Sequence, residues 1–182
     1  MDTQTITAAA LPALGWAFHG GLLLRRLATA RRDPLTGLHT RAGWTARAEH
    51  LMSKHPNALV LLVDLDDFKT VNDTHGHAAG DTVLTETAAR LTDWCGRHGI
   101  AARLGGDEFA AIVTDPAHTA GLFALRVALD GSVDHNGLTL PVSASVGQCH
   151  RDHLPVPTLT DALSAADASM YAAKGHGRRN TR

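Results

Sequence analysis

Hydrophobic spacing along the chain switches between the periods of helix and strand. Residues Arg41 to Lys54 read as a helix, which Pro56-Asn57 separate from the next apolar segment. Residues 58 to 64, Ala-Leu-Val-Leu-Leu-Val-Asp, are a continuous apolar run of strand length ending on an acid, the pattern of a strand buried on both faces. Helical spacing returns from Gly80 to Cys95, with Val83, Leu84, Thr87, Ala88 and Leu91 near one face. Two apolar segments, about 100 to 104 and 108 to 114, flank Gly105-Gly106 and predict a β-hairpin. A helix over roughly 117 to 130, a strand in 142 to 150 after an Asn136-Gly137 turn, and a helix from Ser164 to Gly175 complete the series. The order α-β-α-β-β-α-β-α predicts an α+β fold, with helices packed on a mainly antiparallel sheet.

Composition narrows the field. A length of 182 residues with 44% hydrophobic content supports one ordinary domain, residues 33 to 182, behind a short leader, residues 1 to 32. The net charge of -1 carries no electrostatic footprint for coating nucleic acid, so no nucleic-acid partner is expected. Cys95 and Cys149 form neither a CxxC pair nor a disulfide framework and read as small buried side chains in a reducing compartment. The 12 histidines lack zinc-site spacing, and none is assigned to metal. No GxxxxGK[ST] string occurs, which excludes a Walker A phosphate loop.

Candidate chemistry gathers at two acidic points. In the predicted hairpin, Asp107 and Glu108 follow a glycine pair that can adopt positive φ without a Cβ clash, and no core needs either carboxylate. Taken alone, an ordinary solvated turn has the same composition. Asp64 lies where the buried strand emerges, and a carboxylate there is costly to bury unless it is paired or holds a metal. If that strand neighbours the hairpin, Asp64 and Asp107 converge on one divalent ion with the Leu65 carbonyl beside them. Hard oxygen donors of this kind suit Mg²⁺. A solvated loop through Asp64, Asp66 and Asp67 is the alternative.

Five segments then occur in a telling order: DPLTGLHTRAGW (33 to 44), VDLDDFKTVNDTHGHAAGD (63 to 81), LGGDEFA (104 to 110), SASVGQ (143 to 148) and ADASMYAAKGHGRRN (166 to 180). On these residues the chain resembles the GGDEF-domain family of diguanylate cyclases, which make cyclic di-GMP from two GTP molecules. The resemblance implies a palm-like sheet, as in nucleotidyl cyclases and polymerases. It implies Mg²⁺ (or Mn²⁺) held by Asp64, the Leu65 carbonyl and Asp107. Glu108 is then a second catalytic carboxylate beside Asp107, either helping to deprotonate the attacking hydroxyl or binding a further ion. Asn72 and Asp81 are implied on the guanine, although Asp81 also reads as a helix N-cap. A turn through Asp67, Phe68 and Lys69 would cradle phosphate oxygens with backbone N–H groups. His77 either touches substrate or serves the turn, and Gly105 and Gly106 count among the substrate-binding positions. Lys174 and Arg178, four residues apart, would meet the triphosphate if their helix runs on through Gly175 and Gly177. Each subunit would bind one GTP, so a homodimer is required for catalysis.

Two departures from the family pattern stand out. The usual closing Gly-Arg-Asn is here Gly177-Arg178-Arg179-Asn180, which displaces Asn180. Where many members carry an inhibitory RxxD motif, this chain reads Gly96-Arg97-His98-Gly99, so weak product inhibition is expected. The leader is open between two readings. Residues 6 to 24 bear no formal charge and precede Arg25-Arg26 and Arg31-Arg32, the flank of a membrane helix with the catalytic side cytoplasmic. Pro12, His19 and three glycines weaken that reading, and the alternative is an amphipathic helix that pairs two domains. The expected location is the cytoplasm, with or without anchoring at the inner face of the cell membrane. Two function classes remain, an active cyclase and a catalytically silent module that binds GTP or a cyclic dinucleotide.

Overall fold

The computed structural model describes residues 31–115 and 117–177, so residues 1 to 30, residue 116 and residues 178 to 182, with Arg178 and Asn180 among them, lie outside the described part. In chain order the elements are β1 (His39–Thr40), α1 (Arg41–Lys54), β2 (Leu59–Leu65), α2 (Phe68–His75), α3 (His77–Cys95), β3 (Gly99–Gly105), β4 (Glu108–Val113), α4 (Ala117–Leu129), β5 (Val133–His135), β6 (Leu138–Leu140), β7 (Ala144–His150) and α5 (Leu159–Gly177). The main sheet has five strands in the order β1-β3-β4-β2-β7. Only the short β1–β3 pairing is parallel, while β3–β4, β4–β2 and β2–β7 are antiparallel. Helices on a mainly antiparallel sheet are the α+β architecture that the hydrophobic pattern implies.

Strand β2 shows why its sequence is apolar throughout. Side chains alternate across a strand, and both faces of this one are covered. Leu59, Leu61, Val63 and Leu65 join a core with Val83, Leu84, Ala88 and Leu91 of α3 and with Leu122, Leu125 and Leu129 of α4. Val60, with Leu62 partly buried beside it, packs on the opposite side with Trp44, Ala48 and Met52 of α1 and with Leu159, Ala162 and Ala166 of α5. Asp64 is the next residue in that second row. It falls where the cover of α1 and α5 runs out, at the open end of the sheet.

Three local features differ from the sequence expectation. The stretch after Asp64 is a helix, α2, and not an extended turn. None of its residues is fully buried, and its apolar period consists of Phe68 and Val71 alone, an i, i+3 pair pressing on the core that is too short to mark a helix in the sequence. Next, α3 begins at His77, not Gly80. Gly76 alone connects the two helices at φ 83, and Asp81 is therefore a residue of the helix and not its N-cap. Finally, α5 starts at Leu159, five residues before Ser164. Thr158 Oγ1 donates to Asp161 Oδ2 at 2.6 Å and accepts from the Asp161 N–H at 3.1 Å, a capping pattern that Thr-x-x-Asp announces in sequence. The Asn136-Gly137 turn is present as the tip of a separate ribbon, β5–β6, with both residues at positive φ.

Candidate active site

Register decides which acids meet. Asp64 of β2 lies directly opposite Glu108 of β4 on one side and Ser145 of β7 on the other, so the three share a row on one face. Two helix ends bring cations to this row. Arg41, the first residue of α1, approaches Glu108 at 3.9 Å, both side chains being more than half exposed. Lys174, in the last turns of α5, donates to Asp64 Oδ1 at 2.5 Å and lies 3.7 Å from Asp66 Oδ1. Asp66 Oδ1 is itself fixed by Ser145 Oγ, which donates to it at 2.7 Å. Partial burial works to lower the Lys174 pKa, but the hydrogen bond and charge of Asp64, with Asp66 behind, outweigh it and hold the ammonium above the usual lysine value. A cavity of about 200 Å³ opens here, lined by Arg41, Asp64, Glu108, Leu163, Asp167 and Met170.

The hairpin turn is anchored from behind. Gly106 sits at φ 52, a left-handed conformation that glycine adopts without strain, and Leu104 bulges out of the β3–β4 ladder. The Leu65 N–H donates to the Asp107 carbonyl at 3.3 Å, which ties the tip to the end of β2. Arg103 Nε donates to the Gly106 carbonyl at 2.9 Å, while its Nη1 reaches Asp33 Oδ1 at 3.3 Å. Asp33 Oδ1 also accepts from the Thr36 N–H at 2.8 Å and Thr36 Oγ1 at 2.7 Å. Burial alone would raise the Asp33 pKa. The Thr36 hydrogen bonds and the Arg103 charge overcome that and lower it. Asp107 is thus half-buried in the turn, and Glu108 is the acid that the register sets across from Asp64.

A second surface is built by α2 and α3. Asn72 is half-buried, and a Cβ at position 80 would lie 2.1 Å from its Oδ1, so the absent side chain of Gly80 leaves room for the Asn72 amide in this position. Phe68 abuts the same point, with its Cζ 3.2 Å from that Cβ position. The neighbouring Asp81 is exposed, as are Lys69 and His77, the latter being the first residue of α3. Asp67 adopts φ 52 just ahead of α2, so the expected phosphate-cradling turn is in fact the entry to a helix. Lys174 lies on the carboxylates rather than in open solvent. Its helix does run through Gly175 to Gly177, as the pairing with Arg178 requires, but Arg178 is outside the described residues.

The sequence reading missed Arg41, Asp66, Gly80, Arg103 and Ser145 as parts of these surfaces, and Asp33 behind them. All lie within or beside the five family-like segments. Their partners, however, are set by strand register and helix ends, which no local pattern encodes.

The donors are all hard oxygens: the Asp64, Asp107 and Glu108 carboxylates and the Leu65 carbonyl. Among the described residues no group of three or more His, Cys, Asp or Glu side chains is arranged to hold a metal by itself. Hard oxygens are the donor type that Mg²⁺ takes, which is commonly bound by one or two carboxylates plus substrate phosphates and water. Both cysteines are free and buried, and burial pushes the Cys95 thiol up to about 12. No helix among the described residues is long and apolar enough to cross a membrane, and residues 6 to 24 lie outside them.

Fold and acidic turn together define a nucleotidyl-cyclase-type domain. The family described as diguanylate cyclase, GGDEF domain, matches residues 30–180, and the chain belongs to it. An uncharacterised 19.3 kDa protein of Streptomyces ambofaciens is 64% identical over 182 residues, covering 100% of this chain and 98% of its own. Diguanylate cyclase DgcN of Escherichia coli is 37% identical over 157 residues, but those cover 81% of this chain and 38% of DgcN. The crystal structure of a sensory box/GGDEF family protein from Caulobacter crescentus superposes with a TM-score of 0.72 at 34% identity, over 81% of this chain and 99% of that one. The coiled coil and GGDEF domain of Caulobacter crescentus DgcB, solved in complex with c-di-GMP, gives a TM-score of 0.76 over 97% and 96% of the two chains. At 24% identity that likeness bears on the fold alone.

Proposed function

We propose that the protein is a diguanylate cyclase that condenses two GTP molecules into cyclic di-GMP and pyrophosphate across a homodimer. The observation that carries this reading is the facing of Asp64 and Glu108 across the β2–β4 ladder, with the Asp107 carbonyl tied to the Leu65 N–H at the end of β2. A carboxylate pair at a sheet end is what a phosphoryl-transfer site needs, and an amide beside a carboxylate matches the edges of guanine.

In this reading Asp64, the Leu65 carbonyl and Asp107 would hold Mg²⁺ or Mn²⁺. Such an ion, when bound, neutralises charge on the phosphates and on the attacking oxygen. The chain's own residues do the rest. Asn72 and Asp81 hold the base, with Gly80 leaving room for the Asn72 amide. Lys174 and Arg178 meet the triphosphate, Lys69 and the N–H groups at the start of α2 lie beside it, and Gly105 and Gly106 let backbone approach the substrate. Glu108, open to solvent and opposite Asp64, takes the proton of the 3′-hydroxyl that attacks the partner's α-phosphate. One domain holds one GTP, so two must face each other for both bonds to form.

Product inhibition through an RxxD site is expected to be weak. At the position of its aspartate, Gly99, a Cβ would lie 2.5 Å from Val113 Cγ1 and 2.6 Å from the Ile112 carbonyl oxygen, so an acid does not fit this backbone. Purified protein incubated with GTP and Mg²⁺ should yield cyclic di-GMP by mass, with a rate that rises steeper than linearly in protein concentration. Product formation that survives the double substitution Asp107→Ala, Glu108→Ala would refute the assignment. GTP binding without turnover would make the protein a silent regulator instead.

A further inference from the structure

The carboxylates at the end of β2 are already balanced by the chain's own cations. Lys174 Nζ is in direct contact with Asp64 and within 3.7 Å of Asp66, and Arg41 lies 3.9 Å from Glu108. The Lys174–Asp64 contact is the tighter of the two, with side chains 39% and 25% exposed, so it is less screened than an ion pair on open surface. The ammonium holds Asp64 Oδ1, and a divalent ion on either oxygen of that carboxylate would meet its like charge at close range. We propose that Lys174 is a built-in stand-in for the metal: it neutralises Asp64 in the free domain and must leave that carboxylate before the ion can bind there.

The surroundings give the ammonium somewhere to go. Asp66, locked by the Ser145 hydroxyl, offers a second carboxylate one short movement away, within reach of the flexible four-carbon stem. A triphosphate offers a third set of oxygens. Nucleotide and metal would then load together, because phosphate draws Lys174 off Asp64 as the ion arrives. Metal alone would bind weakly. This inference rests on the cyclase reading only in taking Asp64 as a metal carboxylate.

The test is Mn²⁺ binding to the nucleotide-free full chain, read by the loss of the free-ion signal in electron paramagnetic resonance. Lys174→Met is expected to bind Mn²⁺ about tenfold tighter than the natural protein at low salt, the gain shrinking as salt is added. Lys174→Arg keeps the charge and should bind no tighter than the natural protein. Lys54→Met, which removes an exposed lysine at the end of α1, should change little, and that separates contact from general charge. Asp64→Asn combined with Lys174→Met should lose the tight binding. Circular dichroism confirms the fold of each variant, and Lys174→Gln serves if the methionine variant does not fold. Mn²⁺ binding that needs Asp64 yet is unchanged or weaker in Lys174→Met overturns the inference and leaves the cyclase reading standing. Mn²⁺ binding that no variant shows, or that ignores Asp64, also overturns the inference, while cyclic di-GMP formation from GTP tests the cyclase reading separately.

Discussion

At the end of β2 the acids Asp64 and Glu108 each meet a cation of the same chain, Lys174 and Arg41, whereas on α2 and α3 Asn72 is wedged against Gly80 with Asp81 out in solvent. The first surface is balanced and has to rearrange to admit an ion. The second is held by packing and can receive a base as it stands. Charge that is satisfied internally must be displaced, at the cost of the ion pair lost, while a side chain pinned by a close backbone approach loses little freedom on binding. The two surfaces should therefore respond differently to substitution, one in turnover and metal dependence, the other in substrate affinity.

Asp64→Asn should separate them most sharply. It is expected to lower cyclic di-GMP formation by about 10²–10³-fold with the fold retained, as measured by product mass over time. Turnover near the natural rate would show that the end of β2 is not the reacting centre. Arg103→Met removes the side chain that ties Gly106 to Asp33, and is expected to cost about 2 kcal/mol of stability in urea unfolding. An unchanged midpoint would mean that the turn is held without it.

Gly80→Ala tests the other surface. Its methyl group would displace Asn72, and KM for GTP is expected to rise about tenfold while kcat stays within about twofold. Pairing it with Asn72→Ala should give effects that do not add, since both act on one amide. A fall in kcat alone would break the distinction drawn between the two regions.

The smallest effect lies in acid. The Asp33 carboxyl titrates below its ordinary 3.8 in the fold, so its contribution to stability is complete above that value and is lost as pH falls through 3.8 toward the folded pKa. Urea midpoints followed downward from about pH 5 should fall less steeply in Arg103→Met, because the guanidinium is one cause of the lowering. Equal slopes would remove Arg103 from the account of Asp33.

Legibility from sequence tracked the strength of the hydrophobic signal. The run from Leu59 to Val63 announced a strand covered on both sides, and two separate packed layers are what it has. The Gly105-Gly106 hairpin and α1 were equally plain, because glycine pairs and apolar period act over a few residues. Helix α2 was hidden, since its eight residues carry only the Phe68–Val71 pair as a period, too short a signal to tell from a loop. The same concealment turned Asp81 from a helix residue into an apparent cap. At the site, residue types were legible and pairings were not. Asp64, Asp107 and Glu108 were marked as chemistry, yet Glu108 as the acid facing Asp64 depends on a ladder register between strands more than forty residues apart.

By itself the sequence determined the family, the order of elements and the presence of acids at the end of a buried strand, because these depend on local spacing and on residue types in a fixed order. The tertiary structure alone decided that Lys174 rests on Asp64, that Arg41 comes to Glu108 and that the Asn72 amide lies over Gly80. Each depends on where a helix ends relative to a distant strand or helix. Such meetings are set by the packing of α1 and α5 on one face of the sheet and of α2 against α3, and an ion pair or a close approach exists only once those bodies have docked.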